Sequence, residues 1–215
     1  MGFVSTVNRV AVIAITSIVI AAFSAQSRAA DGTEYATLVA QVKSGKDVDF
    51  GKLRDAYAES PDYDPYSTKT MDLLQQMREA GNRDDCQTVV ARAKSILEIQ
   101  FVSIDAHLYA ASCYDKLGQS AEAARERTIG RGLIQSIMKS GDGKSAKTAF
   151  NVISVAEEYA VLLTLNIQHS QQALMDIDGS SYDVFTVKTQ GGDKSAPSVY
   201  FKIDRVFGKL KKDMK

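Results

Sequence analysis

The stretch Ala111-Ser112-Cys113-Tyr114-Asp115-Lys116-Leu117-Gly118-Gln119-Ser120-Ala121-Glu122-Ala123 decides how this chain folds. It lies in a region, Tyr35 to about Lys139, where apolar residues recur at helical spacing and proline occurs only at Pro61 and Pro65. Around it the composition is that of a folded chain. Apolar residues make up 45% and charged residues 24%, and there are 3 prolines in 215 residues, so a disordered chain is excluded. Lys and Arg number 26 and Asp and Glu 26, which removes the basic excess that nucleic-acid binding would need. With 2 His, 2 Cys and no Trp, a zinc cluster built from many His and Cys ligands is excluded as well.

The pattern Ala111-x-x-Tyr114-x-x-Leu117-Gly118-x-x-x-x-Ala123, with Gly130 seven residues on, resembles the core of a tetratricopeptide repeat. The resemblance implies that Ala111 is a helix–helix contact, that Tyr114 fills the groove between helices and that Leu117-Gly118 ends the first helix. Ala123 would then bring the second helix close. The pattern departs at positions 107 and 127, where His and Arg stand in place of aromatics. Moved back by 37, the frame sets Met77 under Tyr114, Ala80-Gly81 under Leu117-Gly118, Cys86 under Ala123 and Ala93 under Gly130. A further 36 back, Gly45 falls under Gly81 and Phe50 under Cys86. Three helix–turn–helix units are expected, at 33–58, 69–98 and 103–139.

The N-terminus reads as an address. Arg9 precedes an apolar run of 14 residues, Val10 to Phe23, and small residues at Ser27 and Ala29 suit cleavage after Ala29. At 1.5 Å per residue the run reaches about 21 Å, short of a bilayer core of roughly 30 Å. The expectation is a signal peptide at 1–29 and an exported, most simply periplasmic, soluble chain of 186 residues with no transmembrane span. Without Arg9 and Arg28 that chain carries 24 basic and 26 acidic residues. Export puts Cys86 and Cys113 in an oxidising space, where a single internal disulfide and a pair of buried thiols are the two readings. Contact between adjacent helices of the stack favours the disulfide.

The helical region spans 30–140, and the breaker cluster Gly141-Asp142-Gly143-Lys144-Ser145 opens a different one, 141–215. There Ala149–Val155 reads as a strand, Glu157–Leu165 as a short helix, and Gln171–Ile177 with Tyr182–Lys188 as a hairpin turned by Asp178-Gly179. A loop at 191–194, a strand at Ser198–Asp204 and a helix at Val206–Lys212 follow. The fold class expected is α+β: helical hairpins, then a three- or four-stranded, mainly antiparallel sheet with a short helix, packed on the hairpins.

Several stretches together carry a wider resemblance: Leu53-Arg54-x-Ala56-Tyr57, Ser60-Pro61-x-Tyr63-x-Pro65-Tyr66, Cys113-Tyr114-Asp115-Lys116-Leu117-Gly118 and Val152-Ile153-Ser154-Val155-x-Glu157-Glu158-Tyr159. Ser140-Gly141-Asp142-Gly143-Lys144-Ser145, Asp178-Gly179-x-x-Tyr182-Asp183-Val184 and Tyr200-Phe201-x-Ile203-Asp204-Arg205 belong to the same set. They resemble the exported bacterial family labelled domain of unknown function 4919. The resemblance implies a bacterial, periplasmic protein and implies no activity.

Candidate sites are few. Gly143-Lys144-Ser145 lacks the glycine a phosphate loop needs at position 138, which is Met. Asp176-x-Asp178-Gly179 would put Leu174 and Phe185 at the ends of a calcium loop, so a hairpin turn explains it better. Tyr57, Tyr63 and Tyr66 flank a Pro-rich loop and read either as rings capping the helices or as a peptide-contact surface. Glu157, Glu158 and Asp142, with Asp178, Asp183 and Asp204, supply carboxylates for acid–base chemistry. Adjacent helical residues do not face each other, so Glu157 and Glu158 are not a pair, and the helix dipole alone would account for both. His107 and His169 sit at no metal-ligand spacing. The run Lys202–Lys215 is locally +4, from six basic residues and two acids, and reads as a solvated tail or a contact for an anionic partner. The function expected is a non-catalytic module that binds a protein or peptide, with no cofactor. The alternative is a periplasmic hydrolase or small-ligand binder using Glu157 or Glu158 with Asp142 and Tyr159.

Overall fold

The computed structural model describes residues 32–189 and 196–213, with side chains to 210. The segment 1–29, expected to be a signal peptide, the loop at 191–194 and the side chains that end the basic run lie outside the described residues. Eight α-helices are described: α1 (32–43), α2 (Phe50–Glu59), α3 (Thr68–Asn82), α4 (Cys86–Ile99), α5 (Ile104–Lys116), α6 (Ser120–Met138), α7 (Val155–Thr164) and α8 (Asp204–Asp213). The strands are β1 (Phe150–Asn151), β2 (His169–Ile177), β3 (Ser180–Val187) and β4 (Ser198–Lys202). The class is α+β.

Helices α1–α6 form three consecutive hairpins, and each start has a local cause. Asp49, Ser67, Asp85 and Ser103 place side-chain oxygens on the first free N–H groups of α2, α3, α4 and α5. Gly118 ends α5 at φ 74°, a left-handed conformation that glycine adopts without strain. Ala111 and Ala123 are buried, and a Cβ on Gly130 would stand 2.7 Å from Leu108 Cδ2, so α5 and α6 meet through small residues. In the middle unit the alignment with Gly118 needs correction. Gly81 lies inside α3, where a Cβ would stand 3.2 Å from Tyr109 Cε1, so its missing side chain makes room for that ring, and the left-handed residue is Asp84 at φ 56°. That shifts the unit by three residues, and Val89 takes the close-contact place assigned to Cys86. Cys86 and Cys113 form a disulfide between α4 and α5, with Cα atoms 4.9 Å apart.

The sheet runs β1-β4-β3-β2, antiparallel except for β1 beside β4. Asp178 and Gly179 both take positive φ, as a two-residue hairpin turn requires. The strand expected at Ala149–Val155 is corrected: only Phe150–Asn151 pairs, parallel to β4, and the chain is helical from Val155. Ser154 ends the extended run by capping α7, its Oγ accepting from Glu157 N at 3.4 Å. The largest apolar cluster draws Tyr35, Leu53 and Tyr57 from the first hairpin, Leu133 and Ile137 from α6, Val161 from α7, and Phe185 and Phe201 from the sheet. This cluster therefore crosses the boundary at 140/141. A second cluster, Met77, Val89, Ala93, Ile96, Ala106 and Ala110 among its members, lies between α3, α4 and α5 around the disulfide.

Candidate functional site

Where α3 and the start of α5 meet the start of α7, the chain leaves a groove of about 920 Å³. Met71 and Leu74 of α3, Val102 and Ile104 at the entry to α5, and Val155 and Tyr159 of α7 give it apolar walls. Met71, Val155 and Tyr159 are well exposed, at 60%, 39% and 46%. Asp64, Asp72 and Glu79 add negative charge to the rim, and the one arginine there, Arg78, is already paired with Asp105 at 2.6 Å. Thr70 also lines the groove; it is buried, and its Oγ1 has no hydrogen-bond partner among the described residues. An apolar trough with an acidic rim and an unused hydroxyl suits an apolar segment that carries basic side chains.

Two adjacent acids differ in their surroundings: Glu157 forms part of the groove lining and Glu158 does not. Glu157 is clamped by Arg54 of α2: Nε donates to Oε1 and Nη2 to Oε2, both at 2.7 Å, with both side chains buried. Oε2 also accepts from Ile153 N at 2.8 Å, and Arg54 Nη2 reaches Asn151 O at 2.9 Å. One guanidinium thus ties α2 to β1 and α7, in the bidentate geometry that arginine favours. Glu158 is wholly buried, and among the described residues no N–H or hydroxyl donor reaches its oxygens. Its neighbour is Asp183 of β3, which accepts from Gln172 Nε2 at 3.1 Å. Burial, with the nearby Asp183 charge, pushes the Glu158 carboxyl up to about 9. It is therefore protonated at neutral pH, and its proton is held against Asp183. Burial raises Asp183 as well. The helix-dipole account of these two glutamates is insufficient, because both are interior.

The other candidates lie elsewhere. Tyr57 and Tyr63 are buried in the main core, their rings in sequence with Tyr35 at centroid distances of 5.2 and 5.5 Å, and Tyr63 Oη donates to Ile153 O at 2.8 Å. Their rings fasten the 60–66 loop and do not line this groove. Tyr66 is half-buried and does line it. Asp142 faces solvent and holds its own loop, accepting from Lys144 N at 3.0 Å and Thr148 Oγ1 at 2.6 Å, so it does not join Glu157 and Glu158. Those two bonds hold Asp142 below the usual carboxylate range. His107 is fully buried between Glu126 Oε2 and Phe101 O, at 2.5 and 2.7 Å. His169 stacks edge-on against Phe185. In the basic run, Arg205 reaches Asp55 at 2.9 Å and Glu59 at 3.3 Å on α2. Among the described residues no group of three His, Cys, Asp or Glu could hold a metal, and no helix is long and apolar enough to cross a membrane.

The residues that sequence reasoning missed are Arg54, Thr70 and Gln172. One local signal was present: Ser154-x-x-Glu157 is a capping-box pattern that marks the start of α7. No curated protein and no solved structure matches this chain. The family described as domain of unknown function (DUF4919) matches residues 46–212, a span that includes the groove, the Arg54 clamp, the Glu158–Asp183 pair and the whole sheet, and the chain belongs to that family.

Proposed function

We propose that this protein is an exported, non-catalytic binding module of the bacterial periplasm, delivered by a signal peptide at 1–29. Its tetratricopeptide-like hairpins would hold a protein or peptide segment in the groove between α3, α5 and α7. The observation that supports this reading is the groove: exposed apolar walls, an acidic rim and the unpartnered Thr70 hydroxyl at one place. The segment it suits is extended or helical, apolar along one side and basic at its flanks.

The test is selection of a random peptide library on the processed protein, with binders then titrated against Met71→Glu, a change at an exposed wall position. Enriched peptides should combine apolar residues with Lys or Arg and bind with Kd on the order of 1–100 μM. The variant should weaken them by roughly tenfold or more. Failure to enrich any sequence, or equal binding by the variant, refutes the reading. A second reading is a hydrolase or small-ligand binder that uses carboxyls at the helix–sheet junction. The Glu158–Asp183 pair favours it, since a protonated acid beside a carboxylate is a general acid–base arrangement. It ranks second because the Glu158 oxygens are closed to solvent. Cleavage of the selected peptides on incubation, read by mass spectrometry, would reverse the order.

A further inference from the structure

The sheet is wider than the helical layer packed on it. Leu174 pairs with Asp183 in register, and Asp183 faces α7, so Leu174 points to the same side; it is nevertheless 57% exposed, although Tyr159 of α7 reaches β2 at Gln172 and His169. All of β2 from Ser170 to Asp176 is exposed, and as the last strand of the sheet it has an open backbone edge nine residues long. Beside it, α7 carries an uncovered apolar stripe at i, i+4 and i+8: Val155, Tyr159 and Leu163, the last 82% exposed. Edge strands are usually protected by Lys, Pro or several charges. His169–Ile177 contains no Lys and no Pro, and Asp176 is its one carboxylate.

We infer that β2 is an isologous interface, pairing antiparallel with β2 of a second copy about Leu174, so that two four-stranded sheets join into one of eight. The strand is complementary to itself in this register. Leu174 meets Leu174 at the two-fold axis, Ala173 meets Met175, and Gln172 meets Asp176. Gln172 donates one amide hydrogen to Asp183, which leaves the other for the facing carboxylate. A centre at Ala173 would set Gln172 against Leu174, and one at Met175 would set Asp176 against Leu174, so both lose the polar match. The 174-centred pairing also brings the Tyr159–Leu163 stripe of each copy toward the uncovered β2 face of the other.

Sedimentation and intermolecular crosslinking test this directly. Cys86 and Cys113 are bonded to each other, so Leu174→Cys introduces the one free thiol among the described residues. The processed protein should sediment as a dimer, and Leu174→Cys should crosslink to its own copy under mild oxidation. Met175→Cys, on the opposite face and opposite Ala173, should crosslink at least tenfold more slowly. Leu174→Lys, at an exposed position, should keep its circular dichroism spectrum and sediment as a monomer. A monomer at every concentration up to roughly 1 mM overturns the inference. So does a dimer that Leu174→Lys leaves intact, or equal crosslinking from positions 174 and 175.

Discussion

Two apolar clusters of this molecule are closed by opposite means. Between α3, α4 and α5 the interior holds apolar and small residues, Met77, Ala80, Ala93, Ala106 and Ala110, around one covalent bond. Where α2 meets α7 and β1, the closing contact is a buried ion pair, Arg54–Glu157, with a second buried acid one residue on. The difference lies in what each tolerates. An apolar contact loses part of its value when trimmed. A buried charge that loses its partner becomes a liability, although the intact pair is worth little more than apolar residues of the same shape.

The sharpest way to break that comparison is Arg54→Ala. It leaves Glu157 buried with only Ile153 N as a strong donor, and should lower the unfolding free energy by about 3–5 kcal/mol in urea titrations. The double change Arg54→Met with Glu157→Leu should recover most of the loss. A loss under about 1 kcal/mol for Arg54→Ala would place the pair with exposed ion pairs and erase the contrast. On the other side, Cys86→Ser with Cys113→Ser opens a link between residues 27 apart and should cost about 3–4 kcal/mol on the chain-entropy account. The same loss should follow reduction of the unmutated protein, and thiol counting on the denatured, unreduced chain should give zero.

These two regions were unequally legible in the sequence, for a physical reason. The hairpins expected at 33–58, 69–98 and 103–139 are the observed pairs within a few residues, because small residues, caps and apolar period are local signals. The Asp178-Gly179 hairpin was legible for the same reason. The middle repeat slipped by three because a glycine read as a helix stop serves instead as a gap for Tyr109. The strand expected at 149–155 shortens to two residues because Val152 and Ile153 are buried in the main apolar cluster without a strand partner, and Val155 already opens α7. The junction was illegible at the level that matters. Arg54 and Glu157 lie 103 residues apart, and an arginine or glutamate on an amphipathic helix reads as solvated unless its partner is known. Asp183 was on the page as one carboxylate among six; only the sheet register turns it toward Glu158.

Glu158 supplies the smallest effect, and it sharpens the comparison by separating a paired acid from an unpaired one. Its carboxyl is raised from 4.5 to about 9 by burial first and by Asp183 next, with Glu157 adding in the same direction. Tyr66, from the loop before α3, is the other titratable group that feels both acids. A folded pKa above the unfolded one means that the unfolded state gives up the proton first. The contribution is complete below pH 4.5 and is lost as pH rises toward 9, by at most about 1.4 kcal/mol per pH unit. Asp183 is raised too and moves stability the same way. Asp84 and Asp142 are held low by Lys116, and by Thr148 and Lys144, so their contributions fade only in acid, below the ordinary carboxylate range. Stability should therefore peak near pH 5 and decline through neutrality. Glu158→Gln keeps the shape, gives Asp183 a permanent N–H donor and cannot ionise. It should flatten the decline, unfolding about 1–2 kcal/mol later than the unmutated protein at pH 8 and nearly level with it at pH 5. If the two melting curves stay parallel from pH 5 to 8, Glu158 is already ionised in the folded protein, and the junction contains one acid paired with arginine and one buried carboxylate without a cation in place of one paired and one protonated.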